Sequence, residues 1–202
     1  VLQKQVAGLR RTGAARLDVL AGNYTGLGVL TNASSLPFGV NIGSGFSLAA
    51  TTINNSGGIS VNGGTLVGAV NNSGTIALNG GTVVGGVNNT TGVITGNGAS
   101  VIDGNLANSG TVSLQDSAAG DTLAVSGAIS GAGNYVLDLD LGAGAADKIS
   151  AAGGIANTNL NLQFNQFNSG YYGAEIDVMS GLTGNTSGLT YSGLTPTGGA
   201  IS

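Results

Sequence analysis

The sequence predicts an all-β fold, a parallel β-solenoid preceded by a short α-helix at its N-terminus. Residues 54–70 read NNSGGISVNGGTLVGAV and residues 71–87 read NNSGTIALNGGTVVGGV, so that 12 of 17 positions are identical. Variants of the pattern return from Asn88 and again from Ala107, with a period of about 17–23 residues. A β-rich repeat of this length is typical of stacked solenoid turns, in which each turn buries its apolar side chains against the next.

The composition agrees with a narrow core of stacked aliphatic side chains. The chain has 202 residues, of which 39 are Gly, while hydrophobic residues make up 41% and aromatic residues only 4%. Val, Leu, Ile and Ala supply most of the apolar surface, and β-branched and aliphatic residues pack well on pleated strands. The hydrophobic share excludes a disordered linker, and the lack of a Gly-X-Y period excludes collagen.

The charge pattern excludes several classes of function. Only 7% of the residues are charged, the net charge is −4, and four of the five basic residues lie within the first sixteen positions. Because the rest of the chain has no basic stripe, we expect no nucleic-acid partner. The absence of Cys and His removes disulfides, thiol and imidazole catalysis and most zinc sites, so we expect no cofactor and no metal. The sequence contains no run of 18 apolar residues, so we predict no membrane-spanning helix.

Three segments follow from the pattern: residues 1–22, residues 23–117 and residues 118–202. The first segment is predicted to be an amphipathic helix that caps the open end of the solenoid core. Its apolar residues recur near one face at helical spacing; they are Leu2, Val6, Leu9, Leu17 and Leu20. Gly22 follows them and would end the helix. A basic amphipathic helix that contacts a membrane or a partner is the alternative for this segment.

The middle segment is predicted to be regular solenoid turns. Apolar residues alternate along short runs, so equivalent positions of successive turns should stack into core columns formed by Ile59, Val61, Ile76, Leu78, Val83 and Val87. Asn recurs at one corner of each turn, just before Ser-Gly or Thr-Thr. Stacked Asn side chains can donate hydrogen bonds from turn to turn, which predicts a structural ladder of Asn55, Asn72, Asn89 and Asn108.

The last segment has longer alternating strands and two short motifs in a fixed order. Residues 120–123 read GDTL and residues 147–149 read DKI. Together with the NSGTI-type turns, these motifs resemble the passenger domain of bacterial autotransporters over roughly residues 54–165. The resemblance implies a right-handed parallel β-helix that ends in a folding module, to which Asp121, Asp147 and Lys148 would belong. It also implies secretion through an outer membrane, an extracellular or cell-surface location, a role in adhesion or aggregation, and a C-terminal barrel or a neighbouring subunit beyond the last turn.

Asp138 and Asp140 are a candidate pair of active-site carboxylates. Asp138 and Asp140 lie two positions apart on one strand, so their carboxylates should be about 7 Å apart, within the range of inverting glycosidases. We expect instead that both lie on a solvated outer face, opposite the core residues Leu137, Leu139 and Leu141. A single Ca²⁺ bound by the two carboxylates is a further alternative. We therefore expect no catalytic residues.

The function expected from the sequence is that of a non-enzymatic, surface-exposed solenoid, an adhesin or stalk passenger that binds a host or cell-surface ligand or associates with itself. The first alternative is a subunit of an extracellular filament stacked end to end. The second is a polysaccharide-active β-helix enzyme, against which the scarcity of charged residues argues.

Overall fold

The computed structural model describes residues 6–155, 160–168, 175–183 and 190–193, and within these ranges every regular element is a β-strand. The strands are short because Gly, Asn and Ser interrupt the apolar runs at every corner. The first eleven are β1 (Val6–Gly13), β2 (Leu17–Val19), β3 (Tyr24–Ser34), β4 (Val40–Ile42), β5 (Ser47–Asn55), β6 (Gly58–Asn62), β7 (Thr65–Asn72), β8 (Thr75–Asn79), β9 (Thr82–Val84), β10 (Val87–Asn89) and β11 (Val93–Asn97). The others are β12 (Ala99–Asp103), β13 (Leu106–Asn108), β14 (Thr111–Ser113), β15 (Thr122–Val125), β16 (Ile129–Ser130), β17 (Asn134–Asp140), β18 (Ala145–Ala146), β19 (Lys148–Ile155), β20 (Asn161–Phe167), β21 (Met179–Leu182) and β22 (Thr190–Ser192).

These strands form two sheets wound into a parallel solenoid. One sheet stacks strands of successive turns in the order β2-β4-β6-β8-β11-β14-β17-β20-β22. The other sheet contains β1, β3, β5 and β7 and then divides into two stacks, β10-β13-β16 and β9-β12-β15, which meet again at β19. All pairings are parallel except that of β17 with the short β18. The prediction of an all-β parallel solenoid is thus confirmed.

Each regular turn has three strand segments because the second sheet bends at a column of glycines. Strand β7 pairs with β9 through residues 65–67 and with β10 through residues 70–72, on either side of Gly68. Gly68 and the equivalent Gly85 have φ of 140° and 122°, which residues with a side chain rarely adopt. A Cβ at Gly85 would also lie 2.4 Å from the carbonyl oxygen of Gly68. The bend therefore requires Gly at these two positions, whereas the preceding turn passes the same point with Ala50 and Thr51 of β5.

The core consists of columns of side chains that extend through the turns. In the first sheet Ile59 pairs with Ile76 and Val61 with Leu78, and all four are essentially inaccessible to solvent. In the second sheet Leu66 pairs with Val83, and Val70 pairs with Val87. One column position is occupied by Gly96, which pairs with Leu78 and has no side chain. Leu114 of the next turn fills this space, since its Cδ2 would lie only 2.5 Å from a Cβ at Gly96.

The N-terminal segment differs from the predicted capping helix. Residues 6–13 form β1, which pairs with β3, and residues 17–19 form β2, which pairs with β4. Leu17 and Val19 are buried with exposed Asp18 between them, the alternation of a strand and not of a helix. Gly8 and Gly13 lower the helix propensity, and the edge of the next turn offers backbone partners that a helix would leave unpaired. Residues 1–5 of the predicted helix lie outside the described residues.

Candidate functional site: the asparagine corner

Five buried Asn side chains form a continuous ladder at the corner between the two sheets. Each amide nitrogen donates to the amide oxygen of the next turn at 2.7–2.8 Å, and the series is Asn32, Asn55, Asn72, Asn89 and Asn108. The ladder therefore contains the four predicted residues and one more, Asn32, which sequence reasoning missed because Ala-Ser follows it and not Ser-Gly or Thr-Thr. Additional donation to carbonyl oxygens, such as that of Asn55 to Thr75 at 3.0 Å, fixes the corner to the following strand.

The ladder ends at Asn108 because the next turn carries Gly131 at the equivalent position. Ser130 pairs with Ala107, so Gly131 follows at the ladder position and supplies no side-chain amide. Tyr135 follows on this turn and is completely buried, paired with Val112 of the turn before. Burial raises the pKa of the Tyr135 hydroxyl, and the nearby Asn108 amide opposes the shift without a hydrogen bond of ordinary geometry. The neutral ladder thus gives way to a different kind of packing.

Outside the ladder, a row of hydroxyl residues follows the same corner. Ser56, Ser73 and Thr90 each donate their backbone N–H to the carbonyl oxygen of the ladder Asn on the preceding turn, at 2.8–3.0 Å. Their side-chain hydroxyls donate to those same carbonyl oxygens at 3.2–3.4 Å. A Ser or Thr hydroxyl has one hydrogen, so in this arrangement the hydroxyl oxygens present acceptor lone pairs to solvent.

A second row lies on the other side of the corner, one residue before the ladder. Thr31, Asn54 and Asn71 pair across adjacent strands, and Asn71 Nδ2 donates to Asn54 Oδ1 at 3.0 Å. We call Asn54 and Asn71 of this second row the amide row, and Ser56, Ser73 and Thr90 the hydroxyl row. A surface groove of about 250 Å³ extends between the two rows. We call it the corner groove; its lining is Thr31, Asn54, Asn55, Ser56, Asn71, Asn72, Ser73 and Thr90. No charged residue occurs between positions 19 and 102, so the groove lies in an uncharged part of the chain.

Another face carries an outer ladder that the sequence analysis did not identify. Asn79 donates to Asn62 and Asn62 donates to Asn41, both at 2.7 Å, and Asn41 donates to Asp18 Oδ1 at 3.1 Å. The donors point toward the N-terminus, opposite to the buried ladder. The available signal was the Asn within or at the end of each strand of this face: Asn41 in the middle of β4, Asn62 at the end of β6 and Asn79 at the end of β8.

The predicted end-module residues Asp121 and Asp147 come together around the Asp147 carboxylate. Asp147 is fully buried, and its Oδ1 accepts from the backbone N–H groups of Gly120 and Asp121, both at 3.0 Å. Its Oδ2 accepts from the backbone N–H of Asp138 at 2.8 Å. The backbone closes the same unit, since the N–H of Lys148 donates to the Asp121 carbonyl oxygen at 2.8 Å. One carboxylate thus joins the GDTL motif, the DKI motif and strand β17.

The electrostatics of this unit follow from its burial. Burial raises the pKa of Asp147 from 3.8 to about 6, although the three backbone donors favour the charged form. Burial also raises the pKa of Asp121, whose Oδ1 accepts from the Gly98 N–H at 2.7 Å while its buried Oδ2 has no partner. The Lys148 side chain does not face Asp147; it forms an exposed ion pair with Asp177, a type of contact that contributes little to stability.

Asp138 and Asp140 do not form the solvated pair that the alternation predicted. Asp138 is completely buried, because residues 116–117 fold over it and donate their backbone N–H groups to Oδ2 at 2.7 and 2.6 Å, while Asn165 donates to Oδ1 at 2.6 Å. Asp140 is partly exposed and accepts from Ala143 and Asn168. The expectation failed for Asp138 because the longer turn 114–121 covers the outer face of β17.

The described ranges contain no group of three or more acidic side chains placed to hold a metal ion. In the same ranges no α-helix has the length and hydropathy needed to cross a bilayer.

The geometry above places the chain in the class of parallel β-solenoids. No protein-family model matches the sequence, and no curated protein or solved structure is significantly similar to it.

Proposed function

We propose that this chain is a non-enzymatic segment of a bacterial autotransporter passenger, a right-handed parallel β-helix exposed at the cell surface as an adhesive stalk. The observation that carries the proposal is the unit around Asp147. Residues of the GDTL and DKI motifs, 26 positions apart, share one buried carboxylate through the Gly120 and Asp121 N–H groups. A motif pair that resembles the autotransporter end module therefore also acts as one structural unit.

The roles of the carboxylates support a structural function over a catalytic one. Asp138 and Asp147 each accept three hydrogen bonds and are closed off from solvent, so they fasten turns of the solenoid together. A glycosidase would instead present two carboxyl groups to a sugar bound between them. The outer faces of the regular turns present amides and hydroxyls, which suit weak, repeated surface contacts.

The proposal can be tested by display on a non-adherent bacterium. The chain would be fused to an autotransporter barrel, and surface exposure, cell adhesion and cell–cell aggregation would be measured against a barrel-only control. We expect a protease-resistant chain outside the cell and an increase in adhesion or aggregation. The variant Asp147→Ala should lower protease resistance, and the matched variant Asp140→Ala should not. Normal display without any change in adhesion or aggregation would refute the adhesive role.

A second candidate is a filament subunit stacked end to end. Among the described residues, β1 and β2 are the outermost strands of the two sheets at the N-terminal end, and the edge of such a strand can pair with a strand of a second copy. Negative-stain microscopy over a dilution series distinguishes the candidates: rods of constant length support the passenger, and filaments that lengthen with concentration support the subunit.

A further inference from the structure

We infer that the corner groove binds a neutral, polyhydroxylated glycan through its two polar rows. The inference rests on the proposed adhesive function, for which it names the class of ligand. The groove of about 250 Å³ is lined by residues of four successive turns, which stack along the solenoid axis, so an extended ligand can contact several turns at once. Concave sites with a few converging polar groups are where ligands bind in general.

The hydrogen-bonding capacity of the groove decides what kind of ligand fits. Ser56, Ser73 and Thr90 donate to backbone carbonyl oxygens at 3.2–3.4 Å, and in this arrangement each hydroxyl presents its acceptor lone pairs to a ligand. Within the described residues, no hydrogen bond involves Asn71 Oδ1 or Asn54 Nδ2, which adds one free acceptor and one free amide donor. The site is therefore rich in acceptors, with a few donors on one side.

A glycan satisfies such a site better than the alternatives. Sugar hydroxyls are donors and acceptors at once, so they can direct hydrogens at the hydroxyl row and lone pairs at the amide row. An acidic polysaccharide would find no cation between positions 19 and 102 and would be repelled by a chain of net charge −4. The lining contains no aromatic side chain for a sugar ring to stack on. Binding therefore depends on hydrogen bonds and should be in the millimolar range.

The test uses the side-chain amide signals of the ¹⁵N-labelled chain, observed by NMR during titration with cellohexaose, maltohexaose and hexagalacturonate. We expect a neutral hexaose to shift the amide signals of Asn54 and Asn71 with saturation in the millimolar range, and hexagalacturonate to leave them unchanged. The variant Asn71→Ala should weaken binding about tenfold. Asn79→Ala, on the outer ladder of another face, is the matched control and should bind as the wild type does.

The contradicting results are equally specific. No shift with either neutral hexaose, equal shifts at Asn79 and Asn71, or equal binding of hexagalacturonate would overturn the inference. Shifts that follow protein concentration without sugar would assign the groove to a second copy of the chain and also overturn it. If Asn71→Ala lowers the melting temperature, Ser73→Ala replaces it, since this exposed hydroxyl donates only one hydrogen bond.

The same variants separate the glycan inference from the adhesive function. If displayed chain promotes adhesion but neither hexaose shifts the groove signals, the glycan inference fails and the adhesive role stands. If the hexaose binds at the groove but displayed chain promotes no adhesion, the glycan site stands and the adhesive role fails.

Discussion

The regular turns and the C-terminal turns are held together by different kinds of hydrogen bond. Between Asn32 and Asn108 the corner is held by neutral amides that repeat on every turn, with hydrogen bonds of nearly equal length. Beyond residue 114 the turns are held by two individual buried carboxylates, Asp138 and Asp147, which both accept hydrogen bonds from backbone N–H groups of the turn 114–121. The amide bonds repeat from turn to turn, whereas each carboxylate occurs once and joins one particular set of turns.

The difference teaches how stability should be distributed. A ladder side chain shares its hydrogen bonds with two neighbours of the same kind, so removing one weakens a repeating structure locally. A buried carboxylate with three backbone donors has no substitute, so removing it leaves several N–H groups unpaired at once. The following variants test this comparison, from the largest expected effect to the smallest.

The core of the regular turns should be the most sensitive part of the molecule. Ile76 is 1% exposed and lies between Ile59 and Ile94 in one core column. We expect Ile76→Asp to place an unpaired charge there and destabilise the fold by at least about 5 kcal/mol, enough to unfold a marginally stable solenoid. Val93→Asp on the adjacent strand is the control, because Val93 is an exposed side chain. Circular dichroism melts measure both, and equal melting temperatures would refute this column.

Loss of the Asp147 carboxylate should have the next largest effect and should be confined to the C-terminal turns. Asp147→Ala leaves the N–H groups of Gly120, Asp121 and Asp138 without their acceptor, which we expect to cost about 3 kcal/mol. Hydrogen exchange should accelerate around residues 120–149 and remain slow in residues 59–78. The partly exposed Asp140 serves as the control, since Asp140→Ala should cost less than about 1 kcal/mol. Uniform acceleration along the chain would show that the two regions unfold together.

A break in the buried ladder should cost less than loss of Asp147. Asn72→Ala removes the bonds to Asn55 and Asn89, but Asn55 Nδ2 retains its bond to the Thr75 carbonyl oxygen. We therefore expect about 2 kcal/mol of destabilisation, measured by denaturant unfolding. Asn71→Ala is the matched control one position away, where the side chain is exposed and the cost should be within about 0.5 kcal/mol. If both variants lose the same stability, the buried ladder has no special role.

The regular region was predictable from the sequence because its signals repeat. A 17-residue near-identity fixes which residues are equivalent, and equivalent residues of a solenoid must stack, so the positions of Ile59 and Ile76 or of Asn55 and Asn72 follow directly. The N-terminal strands were missed because a short apolar run is compatible with both a helix and a strand. The pairing of Leu17 with Val40, which decides between the two, depends on a partner that local periodicity does not reveal.

The carboxylate unit could be predicted only in part. Asp121 and Asp147 were predicted from the resemblance of their motifs. Nothing local to either motif indicates that the Asp147 carboxylate accepts hydrogen bonds from the N–H groups of the GDTL motif. The burial of Asp138 depends on the path of the turn 114–121, which departs from the repeat and thus has no equivalent elsewhere in the chain. The corner groove likewise arises from the relative position of two side-chain rows. The repeat identifies the residues of each row, but it does not give the distance between the rows.

A separate test of the comparison is a pH dependence specific to the C-terminal turns. The folded pKa of Asp147, about 6, lies above its usual value of 3.8, so the folded state binds this proton more tightly than the unfolded state does. The contribution is fully present below pH 3.8 and is lost as the pH rises through 6, with a slope of at most about 1.4 kcal/mol per pH unit. Carboxyl ¹³C NMR should show Asp147 titrating near pH 6. Stability of the wild type relative to Asp147→Asn should rise between pH 6 and pH 4 and be constant from pH 7 to pH 8. A midpoint below pH 4 would mean that the three backbone donors outweigh burial, and the contribution of Asp147 to stability would then fall as the pH falls.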